Sequence, residues 1–556
     1  MRTLKLWQAF ALSAAAAVLI WAPTLVAAQA GDSASYDLNW SRQFTAALGA
    51  GHPYPRWTAT SFGGLGAPVF YFYPPLPFWV TAGLSIASGG LLGAAAALKA
   101  GVLAFLLLSG WGLFAWQRRR VGDAGALAGA LVFMIAPYHL DDHYLRGAFA
   151  EFAAIALLPL LAMGLERAAS GARLGPLWLA GAWAAVILCH LPIALLAGVL
   201  VIAPYGAWLI WREPGRRAAA AARIAFALTT GAGLAAIYVV PALTLQGAIS
   251  AEYWWGGRFQ VGDRLLVNLG GWPSAFEPFF GFLSAAEAAV ALVLVWRGWG
   301  RRDAEARLWG GIAVAAFLVI AGLVPGFWSL PMMAKVQFPW RAMGVQELAF
   351  AALVARTRRA DWLPVAGAAL AALLGVNAVS VGRFMTQPAA VSRPGYGVTS
   401  FPTDADAPEY LPEGLLRMTA DGPALATPYA ALTGLPLATG PVAAAHDDPV
   451  SGEVWMRLSP GQGGRVTLRR FAFPAWRVSC DGKPVPTSAD GPGRLLSFTP
   501  PAGAQSCEAT IAPTPQEQTG AALALAAALL LGGYGLWSVA AALRPARRAA
   551  DAVAPA

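Results

Sequence analysis

The residue best placed for chemistry is Asp37. It stands in Tyr36-Asp37-Leu38-Asn39-Trp40, just beyond a first apolar run. The segments Tyr54-Pro55-Arg56-Trp57, Gly63-Gly64-Leu65-Gly66-Ala67-Pro68 and Tyr71-Phe72-Tyr73-Pro74-Pro75-Leu76-Pro77 follow it. A carboxylate at the outer end of a membrane helix can accept the proton of an acceptor hydroxyl while a sugar leaves a lipid phosphate. The plain alternative is a solvated loop Asp or a helix cap. Asp32 is the competing carboxylate.

Two further clusters could meet a phosphate. Tyr138-His139-Leu140-Asp141-Asp142-His143-Tyr144-Leu145-Arg146 runs on to Glu151 and sets Asp, His, Arg and Glu between two apolar runs. The planar fork of Arg146 suits a lipid-linked phosphate, and Asp141 and Asp142 suit a divalent cation. A wet interfacial turn with Arg146 paired to Glu151 explains the same residues. Lys335-Val336-Gln337-Phe338-Pro339-Trp340-Arg341 puts two cations among aromatics. They either neutralise a phosphate or snorkel from an aromatic belt. His190, before Leu191-Pro192, is a packing residue or a ligand, and Glu252 to Trp255 line a sugar site or belong to the belt. Glu287 and Glu347 fall inside apolar runs, where each needs a partner or a wet cavity.

These residues must be positioned by membrane helices. The chain has 556 residues, 57% of them hydrophobic and 12% charged, with mean hydropathy +0.55. Soluble domains carry about 25% charge. The net charge of +10 comes from short Arg clusters between apolar runs, as cytoplasmic loops require, and does not indicate nucleic-acid binding. Alternating the runs between those clusters predicts about twelve spans with both termini cytoplasmic, near 7–29, 94–116, 121–137, 150–166, 176–194, 195–211, 224–245, 278–296, 308–325, 343–355, 362–381 and 519–540. Ala28-Gln29-Ala30 looks like a signal-peptidase site, but the preceding run is long for a signal peptide, so a retained helix is expected. Residues 76–92 read as an interfacial or re-entrant helix, because a full span there would put Arg118, Arg119 and Arg120 outside.

The chain divides into a membrane domain, 1–381, with an outer first loop, 30–75; an extracytoplasmic β-rich domain, 382–517; and a last helix and tail, 518–556. Runs such as Arg465-Val466-Thr467-Leu468 and Trp476-Arg477-Val478-Ser479-Cys480, with a turn at Asp481-Gly482, predict a small β-sandwich. Cys480 and Cys507 can form a disulfide there, whereas Cys189 is a core residue. No CxxC or His/Cys metal spacing occurs, so no metal ligand is assigned; a divalent cation stays open as the cofactor.

The aromatic first loop with its carboxylate resembles the first outer loop of GT-C glycosyltransferases. Taken together, Asp37, Tyr54 to Trp57, Gly64 to Pro68, Tyr144 to Ala148 with Glu151, His190 to Pro192 and Gln337 to Arg341 resemble the bacterial membrane family called 6-pyruvoyl-tetrahydropterin synthase-related. That name misleads: a pterin synthase needs clustered zinc-binding His, and this chain has five scattered ones. Phe473-Pro474-Ala475-Trp476-Arg477-Val478 is similar to the outer β-domain of GT-C-like envelope proteins, which usually carry Gly where Ala475 stands. The resemblance implies a GT-C-like polytopic helical fold in the bacterial cytoplasmic membrane, surrounded by membrane lipid. It implies an inverting transfer from a polyprenyl-phosphate-linked sugar to an envelope glycan, lipid or protein. Asp37 would be the base; Arg146, Arg341, Arg56 and Lys335 would hold the donor phosphate; Asp141, Asp142, Glu151, His190, Tyr54 and Trp57 would support the substrate. The paired acidic motif usual in that superfamily is not evident beside Asp37. A flippase, or a non-catalytic assembly protein for lipid-linked glycans, is the alternative reading.

Overall fold

Helices form wherever apolar residues run long enough to satisfy their own backbone in lipid. The computed structural model describes residues 6–26, 33–254, 259–268, 271, 276–298, 303–356, 363–386, 406–419 and 422–551. Asp32, Ala28 to Ala30, Trp255 and the stretch 387–405 lie outside the described residues. The helices that matter are α1 (Leu6–Trp21), α2 (Ala34–Gly49), α3 (Leu76–Ala87), α4 (Ala94–Val121), α5 (Asp123–Met134), α6 (Pro137–Tyr144), α7 (Phe149–Ala169), α8 (Gly175–Cys189) and α9 (Leu191–Trp211). They are followed by α10 (Arg217–Leu234), α11 (Ala236–Thr244), α12 (Phe276–Gly298), α13 (Ala304–Ala321), α14 (Met343–Ala355), α15 (Leu363–Thr386) and α16 (Pro515–Asp551).

A helix therefore stands at each of the twelve expected places. Among the described residues eight helices, or nine counting the bent α10–α11 pair, are long and apolar enough to cross a membrane. The protein is thus a polytopic helical membrane protein with a C-terminal β-domain. Helix α7 lies at the centre of the bundle, with 89% of its apolar window buried. Small residues let its neighbours approach closely: a side chain on Gly164 would strike the backbone of Leu179 in α8, and one on Gly344 of α14 would strike Ile155. Helix α3 has 12 residues. At 1.5 Å per residue it is too short for a hydrocarbon core of about 30 Å. It packs along α2 and α4, as a non-spanning segment should.

Two expectations need correction. Residues 34–49, read as loop, form the amphipathic helix α2, whose buried face carries Asp37, Trp40, Ser41, Phe44 and Ala47. The turn expected at 138–149 contains a second short helix, α6, in which every residue is buried. The cause is Glu347, whose two oxygens accept the free N–H groups of Tyr138 (2.6 Å) and His139 (3.1 Å) at the start of α6. This intramembrane acid has its partner in an uncapped helix end. Both oxygens of Glu287, by contrast, are buried without a hydrogen-bond partner among the described residues.

After a two-stranded antiparallel pair, Leu416–Thr419 with Gly422–Leu425, the β-domain has two larger antiparallel sheets among the described residues. One orders Ala438–Thr439, Val466–Phe471, Leu495–Phe498 and Thr487–Asp490; the other orders Val442–Asp447, Val454–Leu458, Ser506–Ile511, Trp476–Cys480 and Lys483–Val485. Cys480 faces Cys507 across neighbouring strands and is bonded to it. The first segment and these sheets share one apolar core, which includes Trp57, Phe62, Phe70, Phe471, Phe473 and Trp476. Polar bonds add to it: the buried Arg470 donates to the carbonyls of Gly64 (2.6 Å) and Gly452 (2.9 Å), and Phe471 N–H donates to Leu65 (2.8 Å).

Gly66 is where the seam is tightest. Its φ is +78°, and an added Cβ would overlap the Trp57 indole. Trp57 cannot yield easily, since it packs edge-on against Trp476 at 5.4 Å. Gly66→Ala should destabilise the β-domain by about 1–3 kcal/mol through strain and overpacking. Thermal unfolding of the purified chain followed by near-ultraviolet circular dichroism checks this, and an unchanged midpoint would show that the seam gives way.

Candidate functional site

Charges withdrawn from water must find one another, and most of the expected polar residues do so around Glu151 in the first turn of α7. Its Oε2 accepts from Arg146 Nη1 (3.0 Å) and Arg341 Nε (3.0 Å), and its Oε1 accepts from the Tyr138 hydroxyl (2.5 Å). Arg146 also donates to Asp142 at 2.5 Å. His190 Nε2 lies 4.0 Å from the same Glu151 oxygen, while its Nδ1 caps α9 by accepting from Ile193 N–H. Four residues, from α6, its exit loop, the entry to α9 and the turn before α14, thus converge on one carboxylate of α7.

The network borders a cavity of about 290 Å³, near the lower end of small-molecule sites. Arg146, Glu151, His190, Lys335 and Arg341 line it together with an aromatic wall that includes Trp40, Tyr73, Trp254 and Tyr410. Its floor is strained: Met332 (φ 71°) and Gln337 (φ 67°) are non-glycine residues in left-handed conformations, a state that costs of order 1–3 kcal/mol and gathers at functional sites. Gln337 accepts from Arg341 Nη1 (3.0 Å) and donates to the Trp254 carbonyl. Arg341 uses Nε and Nη1 inside the protein, and its Nη2 has no bond among the described residues, leaving a donor for an anion.

Asp37 sits one layer behind this wall. It is fully buried; the Tyr73 hydroxyl donates to its Oδ1 (3.3 Å), and the N–H of Phe149, the first residue of α7, donates to its Oδ2 (3.2 Å). Tyr73 lines the cavity, whereas Asp37 does not. Burial pushes the Asp37 carboxyl up to about 8, against the pull of those two bonds. Burial and the neighbouring Asp37 carboxyl hold the Tyr73 phenol well above its usual range.

Other expected residues lie elsewhere. Arg56 pairs with Glu517 at 2.8 Å, donates to the Ile237 carbonyl at 2.7 Å and stacks on Tyr54 at 3.7 Å. It pins the first segment to α11 and α16. Trp57 belongs to the seam with the β-domain. Neither Tyr54, Arg56 nor Trp57 lines the cavity. Asp141 does not line it either, and Asp142 is engaged by Arg146. Among the described residues no group of three or more His, Cys, Asp or Glu is arranged to hold a metal ion. Sequence reasoning missed Tyr73 as the link to Asp37, and it missed Glu409 and Tyr410, which come to the cavity from the lead into the β-domain.

A helical membrane bundle whose first segment and the lead into the β-domain meet at a cavity lined by cations and aromatics defines a multi-pass membrane protein with a candidate anion-binding site. The chain belongs to the family of membrane proteins with the 6-pyruvoyl-tetrahydropterin synthase related domain, whose model matches residues 70–386. That range includes Arg146, Glu151, His190, Lys335 and Arg341, and begins after Asp37 and the Tyr54–Trp57 motif. Similar solved structures include the arabinofuranosyltransferase AftD from Mycobacteria, at 17% identity and TM-score 0.43 over 69% of this chain. Another is ArnT from Cupriavidus metallidurans bound to undecaprenyl phosphate, at 16% identity and TM-score 0.42 over 71% of this chain. The chain spans 27% of the AftD structure and 66% of the ArnT structure. No curated protein matches it significantly.

The elevated Asp37 carboxyl has a consequence for stability. The native state retains a proton that the unfolded chain releases above its ordinary value of 3.8, so stability contributed at low pH is lost as pH rises toward about 8. Asp37→Asn keeps one carbonyl acceptor for two donors, which costs about 1 kcal/mol at pH 5. It should then overtake the wild type as pH rises to 8 and beyond. Melting temperatures of both proteins in one detergent from pH 5 to 9 check this; parallel curves would mean that Asp37 ionises normally.

Proposed function

We propose that this protein is a glycosyltransferase of the bacterial cytoplasmic membrane, with both termini cytoplasmic and its cavity on the extracytoplasmic side. It moves a sugar from a polyprenyl-phosphate carrier to a hydroxyl of an envelope glycan, lipid or protein, with inversion. The observation that carries this reading is the cavity itself. It sets the Arg146, Arg341 and Lys335 cations beside an aromatic wall where membrane helices meet the β-domain. A phosphate suits the guanidinium forks, and aromatic faces suit a sugar ring.

In a single displacement the acceptor oxygen bonds to the anomeric carbon as the bond from that carbon to the phosphate oxygen breaks. The lipid phosphate leaves with the electron pair and is stabilised by the arginines and Lys335. A lipid phosphate is already a good leaving group, so positioning and charge neutralisation supply most of the rate. The acceptor proton passes to the Tyr73 hydroxyl as Tyr73 gives its own to Asp37, which is the ultimate base. Arg56 is given no part in donor binding, because Glu517 engages it.

A base held near 8 must lose its proton to work, so transfer should rise with pH through about 8. The titratable groups facing Asp37 are Tyr73 and Tyr410, whose phenols burial keeps neutral in that range. In nanodiscs with a panel of polyprenyl-phosphate sugars and envelope acceptors, Asp37→Asn should lose about 10²–10⁴-fold in rate. Arg341→Gln should raise the donor KM about tenfold, equivalent to about 1.4 kcal/mol. Full transfer by Asp37→Asn would move the base elsewhere. A wild type that translocates lipid-linked glycan without transferring sugar would replace the enzyme with the flippase.

A further inference from the structure

Among the described residues two carboxylates line the cavity, Glu151 and Glu409. Glu151 is offset by Arg146 and Arg341 and capped by Tyr138. Glu409 differs: the Trp254 side chain donates to it, and no arginine bonds it among the described residues. Its position is built by the fold. Asp406 accepts from Phe62 N–H at 2.6 Å, and Leu411 accepts from Ser250 N–H at 2.8 Å, fastening the stretch around Glu409 to the first segment and to the connection after α11. Beside it, the Tyr410 ring meets Trp40 at 5.6 Å and Trp254 at 5.8 Å, both edge-on.

An aromatic corner with one acceptor-rich carboxylate is the chemistry of a polyol site. The rings offer apolar faces, and the carboxylate accepts from hydroxyl or ammonium groups. Resting on the donor reading above, we propose that Glu409, Trp254 and Tyr410 form the subsite for the transferred sugar, and that this sugar is neutral or cationic, not a uronic acid. A sugar carboxylate would face Glu409, to which no cation is bonded among the described residues, and like charges in a site shielded from water repel strongly. Enclosure holds the Glu409 carboxyl up at about 7, so a sugar ammonium beside it favours the ionised form. Gln337 ties this corner to the phosphate-facing residues, since it bonds both Arg341 and the Trp254 carbonyl.

The test uses the full chain in nanodiscs and four probes: decaprenyl phosphate and its glucose, glucosamine and glucuronic acid conjugates. The wild type should bind the glucosamine conjugate about tenfold more tightly than the glucuronate, a difference of about 1.4 kcal/mol. Glu409→Gln keeps an oxygen for Trp254 and should melt like the wild type. It should shrink that ratio to about twofold while leaving bare decaprenyl phosphate unchanged, because a neutral amide removes the charge term. Arg341→Gln should weaken all four probes alike. An unchanged ratio in Glu409→Gln, or glucuronate bound as tightly as glucosamine by the wild type, overturns the subsite alone. Failure of the wild type to bind any of the four overturns the donor reading and the subsite with it.

Discussion

The site depends on one buried carboxylate. Glu151 is 1% exposed, and an isolated charge at that depth would cost far more than a protein's net stability. It persists because Arg146, Arg341 and the Tyr138 hydroxyl surround it. Each of those donors comes from a different piece of chain, so the charge balance also fixes geometry. The loop leaving α6, the turn before α14 and the entry to α9 must all meet at the first turn of α7. A neutral core could have been packed in several ways; a paired charge leaves few. Among the described residues the arrangement leaves Arg341, which lines the cavity, with an unspent donor that an all-apolar junction could not supply.

The helices were readable because lipid demands long apolar runs and because the Arg clusters separate them. The convergence of Arg146, Glu151 and Arg341 was half readable: the cations and their neighbours were identified, but the sharing of one carboxylate between residues 146 and 341 is a tertiary fact. Helix α2 was missed because Pro and Gly beyond residue 50 coloured the whole segment as loop. The signal was present in the spacing of Asp37, Trp40, Ser41, Phe44 and Ala47, which repeats at three and four. Asp37 was named for its position after the first apolar run, and nothing local could reveal that Tyr73 would screen it. Glu409 was unreadable in principle: it lies 155 positions from Trp254 and follows a low-complexity stretch that carries no periodicity.

The β-domain is more than an appendage. Its core is continuous with that of the first segment, and Arg470 and Phe471 bond the backbone at Gly64 and Leu65. Arg56 extends the same connection to α16 through Glu517. A motif that looked like a phosphate clamp thus holds the frame that shapes the cavity. The physical reason lies in placement: Arg56 is buried against Glu517, the Ile237 carbonyl and Tyr54 and does not line the cavity, so it does not meet a substrate anion there.

In the proposed mechanism Asp37 serves the frame and the chemistry together. By accepting from Phe149 N–H it completes the N-terminus of α7, two residues before Glu151, so the proposed base and the charge centre are fixed by the same helix end. The desolvation that raises its carboxyl makes it the stronger base once ionised, and holds the proton on it until the pH approaches about 8. Tyr73 supplies the contact with the cavity, and its phenol is too weak an acid there to hold a charge of its own. A directly exposed carboxylate would ionise freely, would stand among the cations of the cavity and would be drawn toward Arg146 or Arg341. In the proposed mechanism, placing the acid behind a phenol keeps the arginines for the phosphate and lets the carboxyl, once ionised, take the proton through Tyr73.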